Sequence, residues 1–261
     1  MSVDLSTAVA VITGAGSGIG RATALEFAAR GARVVVTDIR DDRAEAVAEE
    51  IGALAVAAHC DVTSLDDLRA VRELTLDRFG RVDVVMNNVG VVVSGPVEEI
   101  PLDAWERIID VNLLGVVRSN LVFLPGLLEQ GSGHIVNTSS TSGLLPYGFE
   151  MLPYTATKYG VVGLSEALWV YLQPRGIGVS CFCPAGVKTK IHQQFPLFGD
   201  GLPPEGPDFA FVPVERCGHL VADAVESDRF LVLTVPEVAD DVRRRGEDVD
   251  AYLRYTLEKY C

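Results

Sequence analysis

Short apolar runs alternate with longer amphipathic segments along most of the chain. Runs rich in β-branched residues predict strands, and they are continuous rather than alternating, as in strands covered on both faces. The predicted strands are 8–13, 33–37, 53–58, 82–87, 134–139, 178–183 and 229–234. The predicted helices are 18–30, 42–51, 64–79, 103–129, 153–173 and 214–226. This order predicts right-handed strand–helix–strand units and one doubly wound α/β domain over residues 1–261, with a seven-stranded, mostly parallel sheet.

One segment departs from this alternation. Residues 188–212 carry four prolines, three glycines and four phenylalanines without a clear period. A loop of this length inside a compact domain is either a functional lid or a disordered insert. Because phenylalanines favour packing against something apolar, we expect a lid over a substrate.

Composition narrows the possible partners. The chain has 22 basic and 36 acidic residues, a net charge of −14, which repels phosphate backbones and anionic membranes, so we expect no nucleic-acid and no membrane partner. Its five cysteines show no metal-ligand spacing, which predicts free buried thiols in a reducing cytosol and no metal site. The N-terminal region lacks the pattern of a signal peptide, and we expect a cytoplasmic protein.

The first predicted strand runs directly into the glycine-rich stretch TGAGSGIG, residues 13–20. Gly14 allows a tight exit from the strand, Gly18 lets the backbone approach a pyrophosphate, and Gly20 lets the helix pack closely on the sheet. Asp38 ends the second predicted strand, where a carboxylate accepts hydrogen bonds from ribose hydroxyls and repels a 2′-phosphate. The pattern predicts NAD as the cofactor, although Arg40 lies close enough to leave its phosphorylated relative open.

An ordered set of short motifs carries a family resemblance. The glycine stretch is followed by CDV (60–62), NNVG (87–90), VNLLG (111–115), IVNTSS (135–140) and Y-x3-K (154–158). The set resembles the classical short-chain dehydrogenase/reductase family over about residues 7 to 190. The resemblance implies a Rossmann fold, an NAD-dependent oxidoreductase, and homodimers or homotetramers formed through the helices 103–129 and 153–173.

The resemblance also implies the roles of individual residues. The catalytic positions it implies are Asn112, Ser140, Tyr154 and Lys158. The cofactor-binding positions are Gly14, Ser17, Gly18, Ile19, Asp38, Asp61, Val62, Asn88, Gly90, Tyr154, Lys158, Val187 and Thr189, and the substrate-binding positions are Ser140, Leu145, Met151 and Tyr154. Ser139 competes with Ser140 for the serine role, because neighbouring residues at a strand end face opposite ways.

Tyr154 and Lys158 lie four residues apart at the start of an almost wholly apolar helix, so they share one helical face. Burial of a lysine is costly unless its charge is needed. An ammonium at ~4 Å in an effective dielectric of ~20 favours a phenolate by roughly 4 kcal/mol, on the order of three pKa units. Even after desolvation of the phenol, we expect Lys158 to lower the pKa of Tyr154 and make it a general acid/base.

The surroundings of the predicted site are apolar, which predicts a cyclic, aromatic, terpenoid or steroid-like secondary alcohol or ketone as the substrate. Two alternatives remain open. One is reduction of a 3-oxoacyl thioester carried by acyl carrier protein or CoA, although an acidic carrier protein and a chain of charge −14 repel each other. The other is a non-catalytic NAD(H)-binding scaffold.

Overall fold

A computed structural model describes residues 1–146, 150–187, 189, 196–199 and 211–260. Its strands form a seven-stranded sheet in the order β3-β2-β1-β4-β5-β6-β7, and every neighbouring pair is parallel. The strands are β1 (Val9–Ile12), β2 (Arg33–Asp38), β3 (Ala55–His59), β4 (Val84–Asn87), β5 (Gly133–Thr138), β6 (Ile177–Cys183) and β7 (Leu231–Leu233). The predicted doubly wound Rossmann fold is therefore confirmed.

Helices cover both faces of the sheet, which is why the strands read as continuous apolar runs. Successive residues of one strand enter different cores: Ala10 and Ile12 belong to the core on one face, and Val11 belongs to the core on the other. All three side chains are completely buried. A strand with two buried faces has no polar side to alternate with.

The six predicted helices are present with small shifts at their ends. They are α1 (Gly18–Ala29), α2 (Asp41–Ile51), α3 (Leu65–Phe79), α4 (Leu102–Ile109) continued by α5 (Gly115–Gln130), α6 (Leu152–Leu172) and α7 (Val214–Ser227). A π-helical turn, Asp110–Leu114, separates α4 from α5 where we expected one regular helix. Two further helices that we did not predict, α8 (Val238–Glu247) and α9 (Val249–Tyr260), follow β7.

The run Leu102–Gln130 is long and apolar enough, by length and composition alone, to cross a membrane. Of its most apolar window, 39% is buried inside the protein, and core helices pass the same test, so this is weak evidence for a span. Several of its apolar side chains are exposed, among them Leu114 at 41% and Leu121 at 65%. On α6, Val170 is 68% exposed.

The order of the strands in the sheet determines where the candidate site lies. The chain winds outward in opposite directions from β1 and β4, so the connections leaving these two neighbouring strands diverge and open a crevice at their carboxyl ends. The glycine stretch leaves β1, the NNVG motif leaves β4, and Ser140 follows β5. The fold therefore brings the motifs to one edge of the sheet.

Candidate active site

The glycine loop between β1 and α1 adopts a backbone that demands glycine. Gly14 and Gly18 have φ of 63° and 54°, in the left-handed region. A Cβ on Gly20 would lie 2.3 Å from the carbonyl oxygen of Gly14, so this glycine permits the close packing that we predicted. Ser17, the N-cap residue, makes no side-chain cap hydrogen bond. The first amides of α1 therefore remain available to an anion.

Asp38 lies at the carboxyl end of β2, almost buried, and faces the same loop. Its two carboxylate oxygens accept hydrogen bonds from the amides of Gly16 at 3.1 Å and Arg40 at 3.0 Å. A Cβ on Gly16 would lie 2.7 Å from one of these oxygens, so Gly16 is also required to be glycine. The guanidinium of Arg40 turns to Asp42, with two contacts of 2.9 Å. The guanidinium of Arg40 is therefore engaged with Asp42, and an acid at Asp38 fits ribose hydroxyls better than a 2′-phosphate.

A cavity of about 670 Å³ opens at these strand ends. It is lined by twelve of the thirteen predicted cofactor residues: Gly14, Ser17, Gly18, Ile19, Asp38, Asp61, Val62, Asn88, Gly90, Tyr154, Lys158 and Thr189. The remaining one, Val187, is almost buried and pairs with Val212 outside this lining. Open helix amides at one end, the carboxylate of Asp38 beside them and a buried lysine further along fit a nicotinamide dinucleotide.

Lys158 is buried, with 2% of its surface exposed, and its side chain reaches back to β5. Its Nζ donates a hydrogen bond of 2.9 Å to the carbonyl oxygen of Thr138. The same Nζ lies 5.6 Å from the ring centroid of Tyr154, so the predicted sharing of one helical face is present. Among the residues that the structure describes, the carbonyl of Thr138 is its one hydrogen-bond acceptor, which leaves two donors facing the cavity.

The protonation of this pair differs from our expectation. Burial raises the pKa of Tyr154, and the interaction with Ser140 only partly offsets that rise. The prediction that Lys158 lowers the pKa of the phenol is therefore wrong for the protein groups alone. The reason is that burial acts on both groups: it also lowers the pKa of Lys158 to about 8, so the ammonium is itself disfavoured in this site.

The two candidate serines face opposite ways, as expected at a strand end. The hydroxyl of Ser139 donates a 2.8 Å hydrogen bond to the carbonyl oxygen of Lys158 and so helps to hold α6. Ser140 accepts a 3.1 Å hydrogen bond from the amide of Ser142, and its side chain interacts with Tyr154 so as to lower the pKa of the phenol. The geometry therefore favours Ser140 as the serine that works beside the phenol.

Asn112 is completely buried in the π-helical turn and is fully hydrogen-bonded. Its Oδ1 accepts from the amide of Val91 at 2.8 Å, and its Nδ2 donates to the carbonyl of Val91 at 2.9 Å and to Thr157 at 3.2 Å. Single π-helical turns inside α-helices are frequent at functional sites. Asn112 thus ties the loop after β4 to α6, and a catalytic role for it remains a prediction.

Of the predicted substrate residues, Tyr154 lines the cavity, whereas Ser140, Leu145 and Met151 lie outside its lining. Leu145 is completely buried and packs with Val238 of α8 and Tyr252 of α9. Met151, partly buried, is the N-cap residue of α6. Their contact with a substrate remains a prediction. The predicted lid lies largely outside the described residues, which cover 189, 196–199, 211 and 212 of this segment.

Sequence reasoning missed several residues of the site. The carbonyl oxygen of Thr138 accepts a hydrogen bond from Lys158, and the hydroxyl of Thr157 accepts one from Asn112. The hydroxyl of Thr13 accepts a 3.0 Å hydrogen bond from the amide of Asn88. Arg43 and Arg107 also line the cavity. A buried threonine at a strand end resembles any other β-branched strand residue in sequence. Its role depends on which distant segment it meets, so no local signal was available.

Comparisons with known proteins agree with this geometry. A family model described as short chain dehydrogenase matches residues 8–197. The chain is 38% identical over 200 residues to a cyclohexanol dehydrogenase of Acinetobacter sp. (strain SE19), covering 75% of this chain and 79% of that protein. It is 34% identical over 219 residues to a 3-oxoacyl-[acyl-carrier-protein] reductase of Synechocystis sp. (strain ATCC 27184 / PCC 6803 / Kazusa), covering 82% and 85%.

A solved structure is similar over nearly the whole chain. It is a short chain dehydrogenase/reductase from Burkholderia phymatum in complex with NAD, with a TM-score of 0.85 and 32% identity, covering 95% of this chain and 96% of that one. The match of the family model extends from β1 through the glycine loop, Ser140, Tyr154 and Lys158. The protein belongs to the short chain dehydrogenase family of oxidoreductases.

Proposed function

We propose that the protein is an NAD-dependent alcohol dehydrogenase that interconverts an apolar secondary alcohol and its ketone. The substrate is a cyclic, aromatic, terpenoid or steroid-like compound. The observation that carries this proposal is the buried Lys158 one helical turn from Tyr154, both lining a dinucleotide-sized cavity with an acid at Asp38. The 38% identity to a cyclohexanol dehydrogenase supports the substrate class.

Each residue of the site has a task in this reaction. NAD, held by the glycine loop and Asp38, supplies the hydride acceptor or donor when it is bound. Tyr154 moves a proton to or from the substrate oxygen, and Ser140, whose side chain lowers the pKa of the phenol, holds that oxygen. The two free donors of Lys158 hold ribose hydroxyls, and its positive charge favours the phenolate over the phenol.

The pKa of Tyr154 in the protein without a bound cofactor indicates that the cofactor itself helps Tyr154 to act as a base. Burial raises the pKa of Tyr154 in the protein alone. A positive charge bound beside Tyr154 opposes this rise, since it stabilises the phenolate in a site of low dielectric. We infer that oxidation of the alcohol depends on such a charge, which the oxidised cofactor carries.

Reduction of a 3-oxoacyl thioester is the second candidate, favoured by the 34% identity to a 3-oxoacyl-[acyl-carrier-protein] reductase. The net charge of −14 disfavours an acidic carrier protein as a partner. A non-catalytic NAD(H)-binding scaffold could use the buried Lys158 to hold the cofactor, but it has little need for Tyr154 and Ser140 beside that lysine. We further propose a cytoplasmic homodimer or homotetramer built on the exposed apolar side chains of α5 and α6.

The test is turnover with NAD and with NADP on a panel of cyclic and aromatic secondary alcohols, and on a 3-oxoacyl thioester. We expect cyclic alcohols with NAD to be the best pair.

Replacement of Tyr154 by Phe removes the proton-transferring oxygen, and we expect kcat to fall by about 10²–10⁴-fold while NADH binding is kept.

Tyr159→Phe is the matched control for this variant. Tyr159 also lies on α6 but stacks on Arg245, with the guanidinium carbon 5.6 Å from its ring centroid. We expect its kcat to stay within about threefold of the unmodified protein, as for substitutions outside a site. Full activity of the Tyr154→Phe protein, or preference for the thioester, would contradict the proposal.

A further inference from the structure

The tetrapeptide 196–199 lies against the loop that follows β4. The amide of Phe198 donates to the carbonyl oxygen of Ser94 at 3.0 Å, and the amide of Ser94 donates to the carbonyl oxygen of Pro196 at 3.4 Å. Ser94 and Leu197 thereby form a parallel bridge. This pairing joins two segments that are about a hundred residues apart, and it fixes Phe198 next to the elements that carry Tyr154.

Three segments meet at Gly95. Its amide donates a 2.8 Å hydrogen bond to the carbonyl oxygen of Glu150, which directly precedes α6. Its φ is +146°, which side chains other than hydrogen rarely adopt. A Cβ at this position would lie 2.5 Å from the carbonyl oxygen of Phe198 and 3.1 Å from the Cβ of Phe198. Any larger residue at position 95 therefore pushes the tetrapeptide away from the loop.

The side chain of Phe198 packs on an apolar cluster beside the reacting tyrosine. The buried members of the cluster are Val93, Ile100, Ala104 and Ile108. Tyr154 and Trp105 pack against the same cluster. The neighbouring Leu197 takes no part in it and is 48% exposed. Phe198 and the phenol therefore border one apolar surface.

We propose that Phe198 is a specificity-determining residue that forms an apolar wall of the substrate site beside Tyr154, and that Gly95 is the positioning residue that holds it there. The proposal deepens the proposed function and rests on it. An aromatic wall favours a compact apolar ring over a short alkyl chain, because the ring buries more apolar surface against it. The same wall reduces the access of water to the phenol of Tyr154, which is partly buried.

The specificity is tested by comparing kcat/KM for cyclohexanol and 2-propanol with NAD. We expect Phe198→Ala to lower the ratio of the two values by about tenfold, the scale for lost apolar contacts in a pocket. Phe198→Leu should give a ratio between those of the unmodified protein and Phe198→Ala. Leu197→Ala alters an exposed side chain of the same tetrapeptide and should leave the ratio within about twofold. An unchanged ratio in a folded Phe198→Ala protein that binds NADH normally would overturn the proposal.

A pH profile separates an effect at Tyr154 from a general loss of stability. Because burial raises the pKa of Tyr154, admitting water through Phe198→Ala should lower the apparent pKa of the basic group in kcat/KM for cyclohexanol. A general destabilisation would lower the amount of active protein and leave this pKa in place. An unmoved pKa would therefore contradict the placement of Phe198 beside the phenol.

The contact at Gly95 is tested without turnover, by hydrogen exchange on a peptide that covers residues 196–199. We expect Gly95→Ala to speed exchange of the Phe198 amide, which loses its bond to Ser94, while NADH binding is retained. Unchanged protection would overturn the role of Gly95. If the unmodified protein oxidised no alcohol of the panel, the proposed function and the specificity role would fall, whereas lost protection in Gly95→Ala would still establish the contact.

Discussion

At the scale of single residues, Lys158 carries the largest electrostatic cost in the site. Its ammonium is buried with a carbonyl oxygen as its hydrogen-bond acceptor, and burial lowers its pKa from 10.5 to about 8. An unfolded chain binds this proton more tightly than the folded protein does. At neutral pH the burial of the ammonium therefore destabilises the fold, and the proposed action of its charge on Tyr154 and the cofactor gives a reason for this cost.

This cost predicts a pH-dependent effect of Lys158→Met. Because the folded pKa is below the unfolded one, the stability of the unmodified protein rises with pH between about 8 and 10.5. We expect Lys158→Met to raise the free energy of unfolding, relative to the unmodified protein, by about 2 kcal/mol more at pH 7 than at pH 10. Denaturant unfolding at the two pH values measures the difference.

The same variant should lose dehydrogenase activity, because Met keeps an apolar chain that reaches the position of the Lys158 Cε but lacks the charge and the donors of the ammonium. The lost hydrogen bond to Thr138 contributes equally at both pH values, so it does not affect the comparison. A difference in stability that is the same at pH 7 and pH 10 would show that Lys158 is not buried as an ammonium in the folded protein.

At the scale of elements, the glycine loop joins β1 to α1 through contacts that exclude side chains. Gly20 approaches the carbonyl oxygen of Gly14, and a Cβ there would also lie 2.7 Å from Nδ2 of Asn88, which holds the loop to the end of β4. The loop, the helix start and the motif after β4 are thus one packed unit. A change in any of them alters the opening for the cofactor.

We expect Gly20→Ala to destabilise the protein by roughly 1–3 kcal/mol, the usual range for overpacking. It should also weaken NADH binding, because α1 moves away from the loop. Thermal unfolding and NADH fluorescence measure the two effects. Gly246→Ala is the control, since a Cβ at Gly246 in α8 meets nothing within 4 Å. A Gly20→Ala protein with unchanged NADH affinity would contradict this account of the loop.

At the scale of the whole molecule, α5 and α6 carry large apolar side chains that are exposed in the single chain. Leu121 is 65% exposed and Val170 is 68% exposed. Exposed apolar surface of this kind marks interfaces between proteins. The proposed homo-oligomer would cover it with a second copy of the same helices.

The prediction is that Leu121→Lys combined with Val170→Lys converts the oligomer into smaller species in sedimentation. Lysine places a charge in an apolar contact and also reduces the net negative charge, so general repulsion between subunits does not account for dissociation. Leu257→Lys changes an equally exposed residue of α9, at 60%. Dissociation by Leu257→Lys alone would place the interface on α9 instead.

Much of the fold was predictable because its signals are local. Continuous β-branched runs marked all seven strands, and spacing marked six helices. The two C-terminal helices were missed because they are highly charged, and their buried residues, such as Val238 and Tyr252, are few. These helices contact the predicted substrate residue Leu145 only through packing, which no periodicity in 238–260 indicates.

The sequence by itself determined the elements, the glycine loop and the pairing of Tyr154 with Lys158, because each depends on residues within about a turn or a strand of one another. Only the tertiary structure decided that burial outweighs the lysine at Tyr154, that Asn112 binds Val91 from a π-helical turn, and that Gly95 receives Phe198. These outcomes depend on which distant segments meet and on how much water they exclude. The local periodicity of the sequence indicates neither which distant segments meet nor how much water they exclude.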